Sequence, residues 1–226
     1  MNFSNFAKKV NHYLGVKIFK SDNLFTYSLY TNLLSYFQNK KAKPVEIQNL
    51  FQNGFIDLPD VDAEFISKVN REISSQINDD FSGPIFKYKP TKNLQNILIN
   101  YLKNDYKHPL KILKNLFKCN VYITTIQLRR TFHFDKTKSL EESVYSENYH
   151  CDKYVGTHYK QFVYLNDVNK DNGPFTYLSK NETKKFIKNY KFKNRFSNDI
   201  TKNDYNESEN CFVGEAGSSL LVNTTQ

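Results

Sequence analysis

Apolar residues recur at helical spacing through the first half of the chain. Leu94, Ile97, Leu98, Tyr101 and Leu102 fall at i, i+3, i+4, i+7 and i+8 behind Thr91, whose hydroxyl suits an N-cap. Phe65, Val69, Ile73 and Ile77 form a second stripe after Asp60 or Asp62, and Phe25, Leu29, Leu33 and Phe37 a third after Ser21 or Asp22. A fourth helix is predicted from Pro109 through Leu113, Leu116 and Phe117, because proline's fixed φ and missing N–H suit a first helical position. These stripes read as core-facing helix surfaces and carry no chemistry.

The pattern changes near Cys119. Val121–Phe134 is rich in β-branched and aromatic residues and is predicted as a strand, as is the apolar run Phe162–Val168. Asp171-Asn172-Gly173-Pro174 is turn chemistry, so Phe175–Leu178 reads as a returning strand. A short helix is expected around Phe186, Ile187 and Tyr190, then a polar loop over 194–210. Cys211-Phe212-Val213, a turn over Gly214–Gly217 and an apolar strand over Ser218–Val222 follow. A strand this near Gln226 leads us to expect a sequence cut inside its fold.

Composition narrows the classes. At 226 residues the chain is long enough to bury a core as one domain with a helical elaboration, without disulfide or zinc staples. Its net charge of +9 invites a nucleic-acid reading, but only four basic residues are arginines (Arg71, Arg129, Arg130, Arg195) and the lysines are scattered. Cys119, Cys151 and Cys211 form no C-x-x-C pair. No apolar run approaches a membrane span and the first twenty residues lack a signal-peptide core, so the cytoplasm is the expected compartment.

One triplet points to chemistry. In His150-Cys151-Asp152 the histidine and aspartate lie two apart, and on a strand two-apart residues share a face. An imidazole nitrogen and a carboxylate oxygen side by side supply two of the three ligands of the two-histidine, one-carboxylate site that binds non-haem Fe(II). Taken alone, the triplet is better read as a hydrogen-bonded strand histidine beside a turn-forming aspartate.

The surrounding stretch, Tyr149–Leu178 (YHCDKYVGTHYKQFVYLNDVNKDNGPFTYL), resembles the phytanoyl-CoA dioxygenase family of Fe(II)- and 2-oxoglutarate-dependent oxygenases. That family follows a WH-x-D ligand pair with a lysine-containing F-x-YL-x-DV strand and a D-x-x-NGPF hairpin. The resemblance covers about thirty residues and extends loosely to Gly214–Thr224, similar to the strand that leads into the family's distal histidine. It implies a mainly β fold with α additions: a double-stranded β-helix (jelly roll) over 119–226, incomplete at its carboxyl end, beneath a helical layer over 1–118.

The same resemblance implies Fe(II) held by His150 and Asp152, 2-oxoglutarate as cosubstrate, O2, and hydroxylation of a small-molecule substrate with release of succinate and CO2. Retention of Asp152 argues against a halogenase, since halogenating relatives replace the carboxylate. Lys160 matches a lysine common in the family, able to neutralise an anionic ligand, although a solvated strand lysine fits it too. Gln127, Arg129, Thr131 and His133 alternate on one strand face and would line the mouth of the barrel, with Arg130 on the other; Arg129 would then bind cosubstrate or pair with a structural carboxylate.

The departures are Tyr149 in place of tryptophan and the carboxyl end. No histidine follows His158, so the distal histidine and the arginine that pairs with 2-oxoglutarate have no counterpart, and the 226-residue chain is expected to be inactive by itself. His158 is expected to be a packing or rim residue, with Asp167 and Asp171 as turn formers. The alternative function is a non-catalytic jelly-roll binding module with a vestigial metal site. Neither nucleic acid nor membrane is an expected partner, and the sequence does not speak to oligomeric state.

Overall fold

The computed structural model describes residues 45–77, 85–104, 106–117, 121, 123–132, 158–183, 185 and 209–224. Helix α1 (Val45–Asn53) gives way at Gly54 to strand β1 (Phe55–Leu58). Gly54 takes φ +86° while its N–H bonds to Leu50 O, a left-handed helix stop that leaves the chain free to turn into a strand. Helix α2 (Ala63–Ile73) is capped by Asp62, which accepts from the Phe65 N–H at 3.0 Å. Helix α3 (Lys92–Asn104) is capped as expected by Thr91, whose Oγ1 accepts from the Leu94 N–H at 3.2 Å.

Val69 and Ile73 of α2 meet Leu94 of α3 in one buried cluster, with Phe65, Ile97 and Leu98 around it. Ile77, the last residue of that stripe, falls beyond α2, because the chain tightens into a 3-10 turn over Ser74–Gln76 and then extends. Helix α4 (Lys107–Phe117) starts before Pro109, which sits in the first turn where its missing N–H breaks no intrahelical bond. The stripe Phe25–Phe37, the helix around 186–190 and most of the loop expected over 194–210 lie outside the described residues, and the last two loop positions, Glu209 and Asn210, are instead in a strand.

The remaining strands are β2 (Ile85–Lys87), β3 (Arg129–Thr131), β4 (Tyr159–Val163), β5 (Phe175–Leu178), β6 (Glu209–Phe212) and β7 (Ser219–Asn223). Among the described residues all pairings are antiparallel: a three-stranded sheet in the order β1-β7-β4 and two ribbons, β2-β3 and β5-β6. The chain thus has mixed α/β content with small antiparallel sheets, and among the described residues no sheet closes into a barrel.

Three expectations are corrected. The strand expected over Val121–Phe134 is realised, among the described residues, only at Arg129–Thr131, because β2 offers a partner just three residues long before Pro90 intervenes. High β propensity without a partner leaves extended chain, and Ile123 and Ile126 remain exposed. The strand expected over Phe162–Val168 is shifted to Tyr159–Val163, where β7 can pair with it; past it, the ladder is interrupted by the bend at Leu165–Asn166. The amino-terminal region is not purely helical, since β1 forms an edge of the main sheet and β2 pairs with β3.

One long antiparallel ribbon organises the second half. Val163 pairs with Ser219 and Val168 with Gly214, in the same register. The residues Asn169–Gly173 are then inserted on one side only, after which Phe175 pairs with Phe212 and Leu178 with Glu209. The ribbon therefore starts in the three-stranded sheet and ends as β5-β6. Strand β7 is buried along its whole length. Leu221 joins Ile47, Leu50, Ile56, Leu58, Ile112, Leu113 and Leu116 under α1 and α4, while Leu220 and Val222 face Phe162, Phe175, Tyr177 and Phe212.

Candidate functional site

His150 and Asp152 lie outside the described residues, as do His12, His133, Cys119 and Cys151. The segment that follows them is described from His158. Along β4 the side chains alternate: Tyr159 packs beneath the helices, and Phe162 packs against β5-β6. Lys160 shares parity with Phe162, so the half-buried lysine stands on the aromatic face, in register with Val222.

His158 has the same parity and sits at the end of that face, opposite Thr224. Its carbonyl accepts the Thr224 N–H at 3.0 Å, and its Nδ1 lies 3.2 Å from Thr224 Oγ1. His158, expected as a packing or rim residue, is half-buried just before the start of β4. Behind this end the interior is filled by rings: Phe162 stacks on Phe175 at 4.0 Å, Tyr164 on Phe212 at 4.5 Å, and Phe55 meets Tyr177 edge-on at 4.6 Å. Burial, reinforced by Asp57, Cys211 and Tyr164, pushes the Tyr177 phenol up to about 12.

Arg129 is exposed on β3, directly opposite Lys87. Arg130 pairs with Phe86 on the other face, as the alternation requires, where its guanidinium lies 5.0 Å over the Phe132 ring. Burial raises the neighbouring Tyr88 phenol, while the charge and hydrogen bond of Arg130 oppose the rise. Lys160 and Arg129 thus belong to different sheets. The sequence analysis did not single out Lys87, although the alternation of Lys87 and Lys89 with Phe86 and Tyr88 was the available signal.

The loop beside the site is built from side-chain caps. Asn169 Oδ1 accepts the N–H groups of Asp171 and Asn172, and Asn172 Oδ1 accepts the Asn169 N–H, forming a reciprocal box over the 3-10 turn Lys170–Asn172. Asp171 stays within that turn, as expected. Asp167 instead ties two segments together, its Oδ1 accepting the Ala216 N–H at 2.9 Å. Tyr164 also escaped the sequence reading: its hydroxyl donates to Phe212 O at 2.5 Å and accepts from the Phe175 N–H at 3.0 Å.

Among the described residues no group of three or more His, Cys, Asp or Glu side chains is arranged to hold a metal ion, and no helix among them is long and apolar enough to cross a membrane. The donor types of His150 and Asp152, one imidazole and one carboxylate, are suited to divalent iron. In comparisons with known proteins, no protein-family model matches the chain, and no curated protein matches it.

Proposed function

We propose that this chain is an Fe(II)- and 2-oxoglutarate-dependent dioxygenase similar to the phytanoyl-CoA dioxygenase family, hydroxylating a small-molecule substrate with release of succinate and CO2. The observation that carries the reading is the ribbon after the His150-x-Asp152 pair. A strand, a capped turn and a returning strand follow one another in the order the motif has them, although the first strand ends at Val163, and the far limb, Glu209–Asn223, pairs back on them from one sheet into the other. A double-stranded ribbon that crosses between two packed sheets is the element from which a jelly roll is rolled, so the topology supports that finer description of the fold.

In this reading His150 and Asp152 would hold Fe(II), a neutral imidazole and an anionic carboxylate leaving other positions open. Iron held there would supply the redox chemistry that couples oxidative decarboxylation of 2-oxoglutarate by O2 to hydroxylation of the substrate. Lys160, half-buried on the aromatic face, would supply the cation that an anionic cosubstrate needs, and partial burial would strengthen that attraction. The stacked rings of Phe162, Phe175, Tyr164 and Phe212 would form an apolar floor beside it.

The test uses the product of the complete reading frame, loaded anaerobically with Fe(II) and then given 2-oxoglutarate and air. Iron-dependent succinate formation is expected, with at least a hundredfold loss in Asp152→Ala and an unchanged circular dichroism spectrum. Undiminished succinate formation by Asp152→Ala would remove that residue from the site.

A further inference from the structure

The register of β2 and β3 sets Lys87 directly opposite Arg129, and both side chains are exposed on the same face. Directly opposed residues of an antiparallel pair have Cα atoms only about 4.5–5.5 Å apart, and like charges there repel. Neither cation forms an ion pair among the described residues. Lys89, two residues on, is a third exposed cation. Its backbone is clamped by one side chain, its N–H donating to Gln76 Oε1 at 2.8 Å and its carbonyl accepting from Gln76 Nε2 at 3.1 Å.

The adjacent arginine shows the contrast. Arg130 is engaged by the aromatic residues of the opposite face, Phe132 and Tyr88, whereas Arg129 is turned to solvent beside a second cation. An opposed cation pair on a short, anchored ribbon is a repulsion that a bound anion would relieve.

We propose that this face, independently of the oxygenase reading, binds a small molecule bearing adjacent phosphate groups. The guanidinium of Arg129 takes two oxygens of one phosphate in its planar fork, and Lys87 adds a second positive charge to the same group. Lys89, exposed two residues past the end of β2, meets the next phosphate. A nucleic acid strand is disfavoured because Phe86 and Tyr88, the rings on which bases would stack, lie on the other face of the ribbon.

The experiment is a calorimetric titration of the 226-residue chain with inorganic pyrophosphate at low ionic strength. Saturable binding at one site is expected, weakened about tenfold in Arg129→Gln and further in Lys87→Gln/Arg129→Gln, with Arg129→Lys recovering part of the loss. Both substituted positions are exposed, so unchanged circular dichroism should accompany each variant. Absence of saturable binding, or equal affinity in the double variant, overturns the proposal. Displacement by equimolar 2-oxoglutarate would instead assign Arg129 to a cosubstrate site, and tighter binding of an oligonucleotide than of pyrophosphate would assign the face to nucleic acid; either result overturns it as well.

Discussion

At Tyr164 one hydroxyl fastens together backbones from β5 and β6 just after the end of β4. Tyr164→Phe keeps the ring stacked on Phe212 but leaves the Phe212 carbonyl and the Phe175 amide without that partner. The expected cost is about 1–3 kcal/mol, read as a lower urea midpoint at constant m-value. Gly217 is the second residue on which the packing turns. It has φ +102°, its carbonyl accepts the Val61 N–H at 2.8 Å, and a Cβ there would stand 2.7 Å from Val61 O. At Gly173, φ +70°, a Cβ would meet nothing within 4 Å. Gly217→Ala should therefore destabilise more than Gly173→Ala, whose cost is limited to backbone strain of about 1–3 kcal/mol. Equal thermal midpoints for the two variants would refute that ordering.

Strand β7 is the element on which the others depend, since it is paired on both edges and covered on both faces. Leu220→Ala, at a fully buried position facing the aromatic rows, should cost about 2–5 kcal/mol in chemical unfolding. Helices α2, α3 and α4 were legible in the sequence because helical period and N-caps are local signals: Asp62 and Thr91 act within three residues of themselves. Strands β5 and β7 were legible as short apolar runs beside turns. Strand β1 was not, because the burial of Ile56 and Leu58 depends on β7, far along the chain. Val121–Phe134 failed in the opposite sense, having the propensity of a strand but a partner only opposite Arg129–Thr131. For the site, strand alternation separated Arg129 from Arg130. The Lys87–Arg129 opposition needed the register of two three-residue strands, which no local pattern encodes.

For the molecule as a whole, buried phenols set an alkaline limit. Burial, with Tyr101 adding to it, pushes the Tyr106 phenol up to about 12, and burial raises Tyr159 further, only partly offset by its hydrogen bond with the Asn223 side chain. In the unfolded chain these groups ionise near pH 10. Above that pH the unfolded state has lost protons that the native state retains, so stability falls as pH rises, by about 1.4 kcal/mol per pH unit for each tyrosine still neutral. Below it the full contribution is present. Urea midpoints should be level from about pH 8 to 9.5 and decline above about 10; a level profile through about pH 11.5 would show that these phenols ionise in place. The main sheet also carries a consequence for biosynthesis. β1 and β4 flank β7 and do not touch each other, and β7 is the last described strand to leave the ribosome. Through most of translation both strands present open rows of N–H and C=O groups, so the nascent chain's hazard is pairing with a neighbouring polypeptide, and slowing elongation before Ser219 should lower the soluble yield.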